Sequence, residues 1–272
     1  MKKVRPPQVA GYFYPAEADT LHNEVQRMLS EAKLNKTFDK IIGIVSPHAG
    51  YMYSGKTAAF AYNAIKNKDY KTAIVISPSH SEYFPGISIY DGEAYQTPLG
   101  IVEIDEDKAQ KLVEGSKLIF RGVQGHRREH ALEVQIPFLQ TVLNDFKIVP
   151  IVMGDQSKVF VDELARKLAE VIDDKTIIIA SSDLSHFYNI NKAELLDSLV
   201  ERRINDFDYE KLQQDLDTHR CEACGGGPIV AMMKAAALNN YRKAEVLKRT
   251  DSGDVTGDKS EVVGYLSAVV YE

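Results

Sequence analysis

The chain has 272 residues, 44% hydrophobic and 26% charged, which suits one large or two small domains and excludes wholesale disorder or collagen-like repeats. Thirty-three basic against 39 acidic residues give a net charge of −6, leaving no basic surplus to neutralise nucleic-acid phosphates. The apolar runs are far too short to cross a bilayer, the start Met1-Lys2-Lys3-Val4-Arg5-Pro6-Pro7 lacks a secretory apolar stretch, and two cysteines form no disulfide framework. These features predict a cytoplasmic protein with neither membrane nor nucleic acid as partner.

Short β-branched runs alternate with longer helical patterns. Ile41–Ser46 reads as a buried strand, Lys56–Ile65 as an alanine-rich helix and Thr72–Ser77 as a second strand. Tyr83–Val102, broken by Gly86, Gly92, Pro98 and Gly100, reads as irregular or antiparallel. Glu106–Val113 is a short helix, and Glu129–Leu143 a helix starting near His130 that Pro137 kinks or delays. Lys147–Val152 and Lys175–Ser181 are strands around a helix at Val159–Ile172. Helices follow at Asn191–Phe207, Tyr209–Leu216 and Pro228–Leu238, the last with proline at its first position. Glu245–Thr250 and Val262–Tyr271 close the chain as an antiparallel pair across the turn 251–258. The alternation predicts a single α/β/α three-layer domain with a central mixed, largely parallel sheet.

One pattern recurs three times: a buried strand ends, a serine follows, then a histidine. It appears as IVSPH at His48, VISPSH at His80 and IASSDLSH at His186. Ligands in open α/β sheets bind beyond the carboxyl ends of the strands. Parallel neighbours would therefore bring three imidazoles and Asp183 to one edge, with His130 close by. His48 and His80, in near-duplicate contexts, read as a metal-ligand pair. His186 is a ligand, an acid/base or a partner of Asp183, while His130 and Glu133 lie three apart on one expected helical face. His22, His126 and His219 read as ordinary surface or loop histidines.

The run Cys221-Glu-Ala-Cys224-Gly-Gly-Gly-Pro228 adds a second signal, since three glycines before a helix imply a close backbone approach. A C-x-x-C redox pair, half a zinc ribbon, two buried structural thiols, or Cys224 alone as a soft ligand or nucleophile are the readings open to it. Two imidazoles and a thiolate form a three-ligand set with open positions, suited to Zn, Fe(II) or Cu rather than Mg or Ca.

At these residues the sequence resembles a known family. PPQVAGYFYP near the start, SPHAGYMYSG at 46–55, SPSH at 77–80, EHALEVQIPFL at 129–139, SSDLSH at 181–186 and CGGGPI at 224–229 together resemble the Memo family, whose prokaryotic members are also known as AmmeMemoRadiSam system protein B. The resemblance implies a fold similar to the class III extradiol-type (LigB-like) non-haem iron dioxygenases, with His48, His80 and Cys224 lining a metal site and Asp183, His186 and His130 beside it. It implies iron or copper redox chemistry, and the system name implies a pathway link to radical-SAM and AMMECR1-like proteins. A thiolate in the third ligand place departs from the two-histidine, one-carboxylate set of the dioxygenases.

Three functions follow as expectations. The first is a metal-dependent redox enzyme acting on an unknown small substrate, with Fe(II) or copper on His48, His80 and Cys224, His130 or His186 moving protons, and Asp183 orienting an imidazole. The second is a non-catalytic metal- or peptide-binding protein using the same cleft, with Tyr51 and Tyr53 as its wall. The third is zinc-assisted hydrolysis, weakened by a thiolate that makes the metal a poorer Lewis acid.

Overall fold

Strands without polar alternation need cover on both faces, and the runs Ile41–Ser46, Thr72–Pro78 and Thr176–Ser181 are buried at every position. A computed structural model describes residues 3–272. The chain begins with β1 (Val4–Arg5), α1 (Ala18–Glu31), β2 (Ile41–Ser46), α2 (Tyr51–Ile65) and β3 (Thr72–Pro78). Its middle holds β4 (Ile87–Tyr90), β5 (Ala94–Thr97), β6 (Gly100–Glu103), α3 (Glu106–Val113), β7 (Ile119–Gly122), a 3-10 turn at Glu133–Gln135, α4 (Ile136–Val142) and β8 (Lys147–Met153). Then come α5 (Lys158–Val171), β9 (Thr176–Ser181), β10 (His186–Tyr188), α6 (Ile190–Asn205), α7 (Tyr209–Asp217) and α8 (Gly226–Leu238). The chain closes with β11 (Lys243–Asp251), α9 (Gly253–Thr256) and β12 (Val262–Tyr271).

The main sheet runs β10-β12-β2-β9-β3-β8-β4-β7, with β11 also on β12. Its four central strands, β2, β9, β3 and β8, are parallel, and the antiparallel pairs lie towards the margins. The expected mixed sheet is therefore parallel where it matters: β9 sits between β2 and β3, so Ser46, Ser181 and Pro78 end side by side. A separate three-stranded sheet, β1-β5-β6, accounts for the glycine-broken middle of the sequence. Among the described residues no helix is long and apolar enough to cross a membrane.

Several boundaries differ from the sequence reading. The helix expected from Lys56 starts earlier, at Tyr51, and takes in Gly55, which lets α1 pack close: a Cβ there would meet Met28 of α1. The helix expected over Glu129–Leu143 is a loop, one 3-10 turn and a short α4, with Pro137 in the first turn of α4. His130 thus lies in a loop and shares no helical face with Glu133. The short strands β7 and β10 carry too little periodicity to be read.

Asp197, on α6, is buried with its Oδ1 accepting from the Ser185 amide at 3.1 Å, and burial pushes its carboxyl up to about 6. The folded state thus holds this proton to higher pH than the unfolded chain does. Stability is fully present below the ordinary carboxyl value and is lost as pH rises through about 6. Asp197→Asn keeps the acceptor and cannot ionise. Its melting temperature should match the parent near pH 4 and exceed it by roughly 5 °C at pH 7.5, read by calorimetry across that range.

Candidate metal centre

His48 follows β2 directly and is buried, and its imidazole is held in one tautomer by a chain of hydrogen bonds. Ser181, at the end of β9, donates its single hydroxyl proton to the Ala131 carbonyl at 2.7 Å and accepts from Gln135 Nε2 at 2.8 Å. The 2.9 Å contact between His48 Nδ1 and Ser181 Oγ must then have the imidazole as donor. Nε2 is left with a lone pair. Burial, with the neighbouring charges of His80, His130 and His186, holds this imidazole well below its ordinary value, so it is neutral.

Asp183, one residue past Ser182, anchors the main chain of the same histidine: its Oδ1 accepts from the His48 amide at 2.7 Å. Burial pushes its carboxyl up to about 7, against the pull of the His48 and Ala49 amides. Two groups at the end of β9 therefore fix a residue carried by β2.

His80 follows β3 and is held by Glu129, whose two carboxylate oxygens accept from His80 Nδ1 at 2.9 Å and from its amide at 2.7 Å. Burial lowers the imidazole pKa, but the hydrogen bond and charge of Glu129 outweigh it and leave His80 raised. A carboxylate on the distal nitrogen of a metal-binding histidine fixes its tautomer and raises its basicity. Sequence reasoning took Glu129 only as a helix boundary. Its place beside His130 was the one available signal. The rings of His48, His80 and His130 converge, with centroids 5.1, 5.6 and 4.8 Å apart. His80, Glu129 and His130 also form a compact group, but there the Nδ1 of His80 is already committed to Glu129.

Cys224 completes the cluster from the loop before α8. Its Sγ lies 3.1 Å from His48 Nε2 and accepts from the Asp183 amide at 3.3 Å. The glycine run explains how the loop gets there. Gly225 donates to Ser182 Oγ at 2.9 Å and presses on the end of β9, where a Cβ would collide with the Ser181 carbonyl. Gln156, beyond β8, donates to the Cys224 carbonyl at 2.7 Å and accepts from Gly227 at 2.8 Å. Gly225→Ala should lower the melting temperature by roughly 5 °C through overpacking and weaken metal uptake by pushing Cys224 off the histidines; both are measured on one preparation.

One donor atom from each of His48, His80 and Cys224 lies within 4.8 Å of the others. The set fits a soft or borderline transition metal, with two imidazoles oriented by partners at Nδ1 and one sulfur. Burial, reinforced by the charge of Asp183, pushes the Cys224 thiol far up, so a cation is what would draw out its thiolate.

The other expected residues fall at different depths. His186, on β10, is half-buried and lines a cavity that Cys224 also lines. Tyr51 is buried with its hydroxyl donated to the Val134 carbonyl at 2.7 Å, so it faces the core rather than forming a cleft wall, and Tyr53 beside it is half-buried. His22 is exposed on α1. His126, expected in a loop, is buried between Tyr95 Oη at 2.7 Å and the Ser88 carbonyl at 3.2 Å, and burial drives it down to about 3. Cys221 is buried, and that burial pushes its thiol up to about 12, which argues against a reactive C-x-x-C pair.

A family model for Memo-like proteins matches residues 5–269. The chain belongs to the Memo family. A MEMO1 family protein of Methanosarcina mazei is 38% identical, covering 98% of this chain and 99% of its own. MEMO1 family protein TV1383 of Thermoplasma volcanium is 38% identical over 98% of each chain, and MJ0403 of Methanocaldococcus jannaschii 36% identical over 99% of this chain and all of its own. The crystal structure of the uncharacterized protein JW3007 from Escherichia coli K12 covers 85% of this chain and 100% of that one at a TM-score of 0.56 and 12% identity, a likeness of fold alone.

In this Memo chain the N-terminal block serves the centre from behind. Arg5 donates to Glu133 Oε2 at 2.6 Å, to the His126 carbonyl at 2.7 Å and to the Glu129 carbonyl at 2.6 Å. Glu133, fully buried, also accepts from the amides of Gln8 and Val9 and from Tyr14 Oη at 2.7 Å. This winds residues 5–14 over the loop that presents Glu129 and His130 and brings Phe13 to 4.7 Å from the His130 ring.

Proposed function

We propose that this Memo protein holds a redox-active metal ion, Fe(II) or copper, on His48, His80 and Cys224, and carries out oxidation chemistry on a small molecule. The observation that supports this most is a pair of histidines whose Nδ1 atoms are both engaged, one by Ser181 and one by Glu129, meeting a cysteine sulfur 3.1 Å from His48 Nε2. With Nδ1 engaged in both rings, Nε2 is the atom each imidazole would offer to a metal. Three protein ligands leave positions open, and a bound iron or copper there would supply one-electron chemistry with dioxygen. His130 and His186, whose imidazoles burial lowers, would take or give a proton at a ligand in the cleft. Asp183 holds His48 in register through its backbone amide.

The test is oxygen uptake. Protein loaded anaerobically with Fe(II) or Cu(I), then given air and a panel of small phenols, thiols and amines, should consume oxygen only with the right substrate. Cys224→Ser should reduce that rate by more than about 100-fold. Stoichiometric metal with no substrate-dependent uptake would replace this reading with that of a non-catalytic metal- or peptide-binding protein.

A further inference from the structure

Among the described residues, those other than glycine with a positive φ are Asn67, Asp145, Phe187, Phe207, His219 and Asn240. Asparagine, aspartate and histidine tolerate this left-handed region best, whereas an aromatic residue held there costs stability. Phe207 recovers that cost by packing against the core. Phe187, at a φ of 63°, does not, because it is 70% exposed.

The strand around Phe187 explains its conformation but not its side chain. On β10, His186 pairs with Val263 of β12 and Tyr188 with Val262, so Phe187 is one residue too many for the partner strand. It forms a β-bulge. In the class of bulge whose extra residue is left-handed, that residue is normally glycine. Glycine would serve equally if the bulge only blunted the margin of the sheet against other chains. An aromatic ring exposed to water at this position therefore works against folding, and backbone strain of this kind collects at functional sites.

The neighbours of the ring identify the site. Phe187 stands edge-on to the His186 ring, with 5.7 Å between centroids. His186 lines a cavity together with Cys224, and burial, with the charge of His80, lowers its imidazole. One side chain thus separates the exposed ring from the wall that Cys224 shares. We infer that Phe187 is a specificity-determining residue of the metal centre, which packs against a flat apolar ring carried by the ligand. The inference deepens the proposed function and rests on it for the metal, but not for the contact between rings.

Imidazole and 4-phenylimidazole are suitable probes, since they share a metal-binding nitrogen and differ by one ring. Titrated calorimetrically into the metal-loaded full chain, the phenyl compound should bind about tenfold more tightly or better. Phe187→Gly should cut that ratio to below about threefold, and Phe187→Tyr should keep it. Glycine also relieves the strained backbone, so the melting temperature of Phe187→Gly should stay level or rise by about 3 °C. Metal-free protein and His48→Ala/His80→Ala protein should bind both probes more weakly, yet keep the dependence of their ratio on Phe187. A chain that takes up no metal but keeps this dependence sinks only the metal assignment. A ratio near one in the parent, or a ratio unmoved by Phe187→Gly, overturns the inference whatever the metal result. So does a melting temperature that Phe187→Gly lowers by more than about 3 °C, which would make the ring a packing residue.

Discussion

Purified after growth with iron and copper, the His48→Ala/His80→Ala double variant should contain less than about a tenth of the metal of the parent, which should hold about one ion per chain. Two of three donors are gone, and a single sulfur in a buried pocket competes poorly with water and cellular thiols. The variant should fold, because β2 and β3 are held by their neighbours rather than by these rings, and circular dichroism checks this. Glu129→Gln is the sharper companion. It keeps the shape and an acceptor but removes the charge on His80 Nδ1, so metal affinity should fall by 10- to 100-fold rather than vanish. Unchanged metal content in the double variant would remove His48 and His80 as ligands.

The second large effect lies away from the metal ligands. Arg5 and Glu133 form an ion pair that is almost wholly excluded from solvent, at 2.6 Å. Removing one partner of such a pair strands the other charge and costs about 3–5 kcal/mol. Glu133→Gln should therefore lower the melting temperature by roughly 10 °C and shift the urea midpoint to match. The loss should spread to the centre, because the same guanidinium holds the Glu129 carbonyl. Metal affinity should drop several-fold in Glu133→Gln, although the residue lines neither cleft nor ligand set. A stability loss below about 1 kcal/mol would show that the pair is relaxed by solvent.

Much of this was legible in the chain. The unbroken apolar runs 41–46, 72–77 and 175–181 identified the central strands, because only strands covered on both faces lack polar alternation. The serine-to-histidine punctuation after them pointed to the sheet edge where the rings of His48 and His80 meet. What stayed hidden was everything that depends on which strand sits between which. No local pattern says that β9 separates β2 from β3, so Ser181 could not be read as the partner of the His48 imidazole, and Asp183, expected to orient an imidazole, holds the His48 amide instead. Glu129 was missed for the same reason, its bond to His80 spanning 49 residues. Tyr51 was expected at the cleft because it follows His48 closely in sequence, but it opens α2 and turns its hydroxyl to the Val134 carbonyl. Arg5 and Glu133, ordinary charges in sequence, acquire their role only when the N-terminal block folds back.

The sheet order also sets a schedule for biosynthesis. The strand bearing His48 lies between β9 and β12, which emerge from the ribosome more than a hundred and more than two hundred residues later. Until then its backbone has no partner in the finished sheet, and the sulfur at position 224 is still to come. Long-range pairings of this kind form late. The nascent chain therefore passes through synthesis with two separated imidazoles, and the cluster of His48, His80 and Cys224 comes together only after the later strands have emerged.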